Sequence, residues 1–284
     1  MYEGIPGKER QQMHLDIGIY LGSKTDLDSS PQNKPLHAAI EQLYLSDVSD
    51  NEDSYYDVAS LVSIATSQIN AAGPDAFVDQ ALRTRFSSWN LHAGKDASEV
   101  SNFRAALYFY KYGIAFLGEH AWRDDTYDLS LHLHEGATFA SSALAETEQV
   151  AAYVNDIISN ATTFEDSLVA QYLLICSITA SGQYQEAIAR GLAVLRQLKF
   201  DIPATPNPMA LVQKMEQTEK EALMYDFNHI DNYHKVGHTT RNVMKIGEAI
   251  SVACFHVASP LLPLVSSFYQ NYGSHLIRHC TDCL

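Results

Sequence analysis

Histidine and cysteine are the side chains of this sequence best suited to hold a metal, and three stretches crowd them together. In the tail, "HLIRHCTDC" gathers His275, His279, Cys280 and Cys283. A C-x-x-C pair beside two imidazoles offers the thiolate and nitrogen donors that Zn²⁺ takes in a tetrahedral site. Such sites usually draw a second ligand pair from a separate segment, and no glycine-rich knuckle supports this one. An accident of composition is the plainer expectation. In "HIDNYHKVGH", His234 and His238 stand at i and i+4, with His229 and Asp231 close by. On a helix that spacing would put both imidazoles on one face, for zinc or for a response to protonation. Gly237 lies between them and weakens a helix there, so a polar loop between helices is expected instead. In "LHLHEGA", His132 and His134 are two apart. Helical residues turn by about 100° each, which aims this pair to roughly opposite sides. Thr138 occupies the place where H-E-x-x-H would need its second histidine. The reading for metals and cofactors is none, with His229, His234, His238, His275, His279, Cys280 and Cys283 kept as the candidates.

Other chemistries have less to stand on. "GIPGKE" near the start imitates a phosphate-binding loop, but Glu9 follows Lys8 where a Mg²⁺-holding hydroxyl belongs, and no strand can precede Gly4. No G-x-S-x-G elbow, kinase V-A-I-K or H-R-D set, or S-x-x-K group with its partners is present, so no catalytic residue is assigned. Acidic residues outnumber basic ones 34 to 19, for a net charge of −15. That is the wrong sign for nucleic-acid backbones and for anionic membrane surfaces. The most apolar stretch, "ISVACFHVASPLLPLV", is broken by His256, Pro260 and Pro263 and is too short for a bilayer. No secretory leader is visible, and four cysteines in 284 residues do not make a disulfide framework. A cytoplasmic location is expected.

Whatever these residues do, helices must position them. Met13, Ile17 and Leu21 recur at helical spacing, and "YYDVASLVSIATSQINAA" reads as a helix ended by Gly73-Pro74. "LHAAIEQLYL" reads as another helix, and Pro74-Asp75 starts the helix "DAFVDQALRTRFSSWNLHA". No segment shows period-two alternation between hairpin turns, so the chain is read as all-α. "GQYQEAIARGLAVLRQL" is close to the second half of a tetratricopeptide repeat, with Gly182, Tyr184, Ala187 and Gly191 in place. Small residues there let neighbouring helices approach, and an aromatic fills the gap beside them. Two weaker copies match it: Phe103, Ala106, Tyr110 and Gly113, then Thr147, Val150, Val154 and Ile157. The steps from Ala106 to Val150 to Ala187 are uneven and exceed the ~34 residues of a regular array. Degenerate helical hairpins stacked as an α-solenoid are therefore expected, with Ala106, Tyr110, Gly113, Tyr184, Ala187 and Gly191 holding the layers. Core packing between those layers also accounts for the dense aromatics Tyr108, Phe109, Tyr110, Tyr112, Phe116, Trp122 and Tyr127.

With those residues in view, the chain resembles the helical-repeat region of large bacterial and algal signalling ATPases. That region follows an origin-recognition-like AAA-type module. The likeness rests on Asn90, Leu91, Ala93, Gly94 and Ala97; on Ala106, Tyr110, Gly113, Phe116 and Leu117; and on Trp122, Tyr127, Leu129, Leu131 and Leu133. It continues through Glu186, Ala187, Gly191, Leu195, Leu198, Pro203 and Pro206. Gly7, Arg10, His14, Ile17, Gly18 and Leu21 match the stretch that follows the winged-helix end of the ATPase module, so "GIPGKE" reads as a seam and the chain as a fragment without the ATPase. Leu144 and Ala145 depart from the family, which has a glycine-containing turn there. The resemblance implies a seam over 1–22, a polar loop over 23–35, helical repeats over 36–200, a proline-rich linker over 201–208 and further hairpins over 209–284. It also implies a non-catalytic scaffold that contacts proteins or neighbouring domains. Two alternatives stand beside it: a piece of an ATP-dependent regulator or serine/threonine/histidine kinase whose catalytic domains lie elsewhere, and a metal- or pH-responsive module built on the histidines.

Overall fold

The protein is described here by a computed structural model, over residues 6–23, 58–200 and 237–265 with scattered positions between 202 and 220. Among them every regular element is helical: α1 (Gly7–Ser23), α2 (Val58–Ala72), α3 (Gln80–Glu99), α4 (Phe103–Leu117), α5 (Tyr127–Ala143), α6 (Thr147–Asn160), α7 (Leu168–Ala180), α8 (Tyr184–Gln197) and α9 (His238–His256). Short 3₁₀ turns stand before α3, after α4 and before α7. The chain forms two compact units, Met1–Leu144 and Ala145–Leu284. No helix among the described residues is long and apolar enough to cross a membrane. The segments 24–35 and 36–45, read above as a polar loop and a helix, lie outside the described residues.

In the first unit, α1 packs on α2, α2 on α3, α3 on α4, and α5 on both α3 and α4. Helices joined by so short a link as 100–102 can only touch along their length by running antiparallel, which makes α3–α4 a helical hairpin. Its centre is an aromatic cluster in which Phe77, Phe86, Trp89 and Phe116 meet at ring-centroid separations of 4.8–6.0 Å. That cluster corrects one expectation. The helix expected to run on from Pro74 is instead a single 3₁₀ turn over Pro74–Ala76, and Phe77 is extended at φ −118°. The break turns Phe77 into the cluster, and Asp79 starts the helix afresh by accepting a hydrogen bond from the Ala81 N–H.

The second unit repeats the scheme. α6 packs on α7, α7 on α8, and α9 on both α7 and α8. Lys245 of α9 sits over the Tyr172 ring near one end of the contact, and His256 of α9 meets Tyr184 at the other, so α7 and α9 run in the same direction.

Three of the links have a left-handed middle residue. Residues 101, 145 and 182 are each the middle residue of a link, and each is left-handed, at φ 59°, 59° and 79°. In the first and third links the residue that follows donates back across the turn: Asn102 N–H to Ala97 O at 2.8 Å and Gln183 N–H to Ile178 O at 3.2 Å. This closure ends a helix and reverses the chain within three residues. The next helix then begins at Phe103, Thr147 or Tyr184, and its fourth residue, Ala106, Val150 or Ala187, is fully buried.

Candidate functional site

Of the residues expected to hold layers, Ala106, Tyr110, Gly113, Ala187 and Gly191 are buried and Tyr184 is half-buried. Tyr110, on α4, is buried between two glycines that it does not neighbour in sequence, Gly94 on α3 and Gly136 on α5. A Cβ added to either glycine would stand 2.5 Å from a Tyr110 ring carbon, far inside van der Waals contact. The ring is therefore gripped by bare backbone on both sides. Its hydroxyl lies 3.3 Å from Ser98 Oγ, and burial raises its pKa. Gly113 admits Leu133 of α5 in the same way, with a virtual Cβ 2.5 Å from a leucine methyl. Gly191, on α8, admits Ile250 of α9 at 2.3 Å. Ala106 and Ala187 are wholly buried.

Polar groups lock this packing. Asn70 and Asn90 are both buried and exchange amide hydrogen bonds of 2.8 and 2.9 Å between α2 and α3. Ser87 Oγ donates to Gly113 O at 2.7 Å, and Arg83 Nε donates to Phe116 O at 2.8 Å, capping the last turn of α4. Exchanged amide bonds in a dry interface favour one helix register over its neighbours, because a slip would strand both groups.

Of the histidines weighed as ligands, His132 and His134 are not brought together. His132 is exposed and bonded through Nδ1 to Asp128 O, while His134 is buried, bonded through Nδ1 to Ser130 O and 4.7 Å from the Trp122 ring. The two imidazoles thus lie in different surroundings, as a helix requires. His238 is the first residue of α9, and Gly237 before it is extended at φ −60°, ψ 160°. His229, His234, His275, His279, Cys280 and Cys283 lie outside the described residues. Among the described residues no group of three or more His, Cys, Asp or Glu side chains could hold a metal ion.

A cleft of about 440 Å³ opens in the second unit between α7, the start of α8, and α9. Its elements supply it by helical arithmetic. Tyr172, Cys176 and Ala180 form one stripe of α7, and Glu248, Val252 and His256 form the facing stripe of α9. Ala180 and Ala249 leave the space open, while Tyr184 and His256 stack nearly parallel at 4.6 Å and 10° along its wall. Burial, then the neighbouring Cys176 and Glu248, push the Tyr172 phenol up to about 12. Burial also pushes the Cys176 thiol up, with Glu248 adding to the effect. Cys176 is therefore held as the thiol, the form that is neither nucleophile nor metal ligand.

Sequence reasoning identified Tyr184 only as a layer residue and missed the rest of the cleft. One available signal was the stripe of Tyr172, Cys176 and Ala180 on α7, an aromatic followed by small residues at i+4 and i+8. The glycines at 94 and 136 were also missed as the partners of Tyr110. No protein-family model, no curated protein and no solved structure matches this chain.

Proposed function

We propose that this chain is a non-catalytic helical-repeat scaffold, an α-solenoid of degenerate tetratricopeptide-like hairpins that contacts a partner protein or a neighbouring domain within an ATPase-linked signalling protein. The observation that carries the reading is recurrence. A left-handed residue at 101, 145 and 182 is followed each time by a helix whose fourth residue is fully buried. A unit reused in this way builds a stack in which each hairpin leans on its neighbours, and such stacks present extended surfaces to other chains. The glycine contacts at 94, 113, 136 and 191 support the same reading, because close backbone approach is how successive layers nest. The raised Cys176 thiol and the acidic surface fit a partner-binding role better than a reacting one.

Hydrogen exchange tests the proposal. The chain is compared alone and joined to the polypeptide encoded immediately upstream of it, with and without MgATP. Protection of helix-surface amides in the joined form, altered by nucleotide, is the expected result. Unchanged exchange, or nucleotide turnover by the isolated chain, would overturn it.

A further inference from the structure

We propose that the cleft between α7 and α9 receives an arginine side chain from a partner protein, its guanidinium held between the Glu248 carboxylate and the stacked rings of Tyr184 and His256. This deepens the scaffold reading and rests on it. Three features of the cleft select that ligand. Its volume of about 440 Å³ lies at the small end of ligand sites, suited to one long side chain and its flanks rather than to a folded domain. Its wall is aromatic and apolar, since the stacked rings of Tyr184 and His256 line it and Val252 extends the apolar side. A planar, weakly hydrated cation suits an aromatic wall, and arginine is the side chain that provides one.

Charge is the third feature. Glu248 is the acidic residue lining the cleft, is exposed, and has no hydrogen-bond or ion-pair partner among the described residues. Lys245, one turn earlier on α9, lies 5.6 Å from the centre of the Tyr172 ring and occupies the aromatic surface at that end. The opposite end, where Tyr184 and His256 meet, is left for an incoming cation. Burial of the alkyl stem against Val252 and Ala249 would add apolar contact, and a net charge of −15 draws basic segments toward the chain.

The test is a ¹⁵N–¹H titration of the full chain with the peptide acetyl-Gly-Gly-Arg-Gly-Gly-amide and with its citrulline counterpart, which keeps the shape and removes the charge. The arginine peptide is expected to shift amides of Tyr172–Tyr184 and Lys245–His256, and the citrulline peptide to bind about tenfold more weakly, as loss of a charge-assisted hydrogen bond requires. Glu248→Gln, an exposed substitution, should weaken the arginine peptide by a similar factor of about ten while leaving the melting temperature unchanged. Equal binding of the two peptides, an unaffected Glu248→Gln variant, or no shift up to about 10 mM peptide would overturn the proposal. Agmatine binding as tightly as the peptide would also overturn it, because the site would then be one for a free small cation. The peptides leave the hydrogen-exchange comparison untouched, so failure here is distinguishable from failure of the scaffold reading.

Discussion

Gly136→Ala is the sharpest probe of the layer packing. In an exposed helix interior this change should stabilise by about 1 kcal/mol, since alanine is the better helix former. Here the new methyl would lie 2.5 Å from two ring carbons of Tyr110. Ordinary carbon contacts lie near ~3.5–4.0 Å, so the ring must retreat by roughly 1 Å. It cannot do so freely, because Gly94 closes the other side and Ser98 sits 3.3 Å from the hydroxyl. Overpacking of this kind costs about 1–3 kcal/mol, which leaves a net loss of up to about 2 kcal/mol after the propensity gain. Tyr110→Ala alone should cost about 3–5 kcal/mol through the cavity it opens. In that background Gly136→Ala meets no ring and should become stabilising by up to about 1 kcal/mol. The cycle therefore predicts a coupling of about 1–3 kcal/mol with a change of sign. Urea unfolding followed by tryptophan fluorescence reads it cleanly, since both tryptophans, Trp89 and Trp122, belong to the first unit. Effects that add within about 0.5 kcal/mol would refute the gripped-ring account.

Other outcomes follow from the same packing. Asn70→Leu and Asn90→Leu should each cost about 1–3 kcal/mol by stranding the other amide, whereas the double variant should recover most of the loss in the same fluorescence assay. Ala145→Gly should raise the melting temperature of the second unit, because φ is 59° there and glycine removes a Cβ penalty of about 1 kcal/mol; a lower melting temperature would contradict the turn geometry. The Tyr153 and Tyr172 phenols, pushed up to about 12 chiefly by burial, stay neutral in the fold while the unfolded chain ionises near pH ~10. The folded form then holds more protons, so stability is intact below about pH 10 and falls as pH rises toward about 12. Denaturation midpoints across that window should flatten in the Tyr153→Phe, Tyr172→Phe double variant.

Much of the local structure was legible because local forces set it. Gly182 followed by Tyr184 marks a left-handed turn and a helix start, and Phe103 and Thr147 start helices at matched places. The left-handed turn itself was not legible at 101 and 145, where Ser and Ala adopt a conformation usually left to glycine. Phe77 was misplaced inside a helix because its extended backbone is imposed by Phe86 and Phe116, which local propensity does not register. Asp79, a capping residue ahead of "QALRTRF", was the local clue to the true start. Tyr110 could be named as a filler, but not its grip, because Gly94 and Gly136 approach it only through the tertiary fold. The cleft was hidden for a similar reason. Its two stripes lie on helices far apart in sequence, and residues such as Cys176 and Val252 read as ordinary helix interior until the helices face each other.

The grip on Tyr110 also governs what drift can do to this chain. While the ring persists, a side chain at either glycine is selected against; once the ring is lost, both sites open to any small residue. Descendants that keep the ring should therefore keep both glycines, whereas those that lose it are free to vary at either.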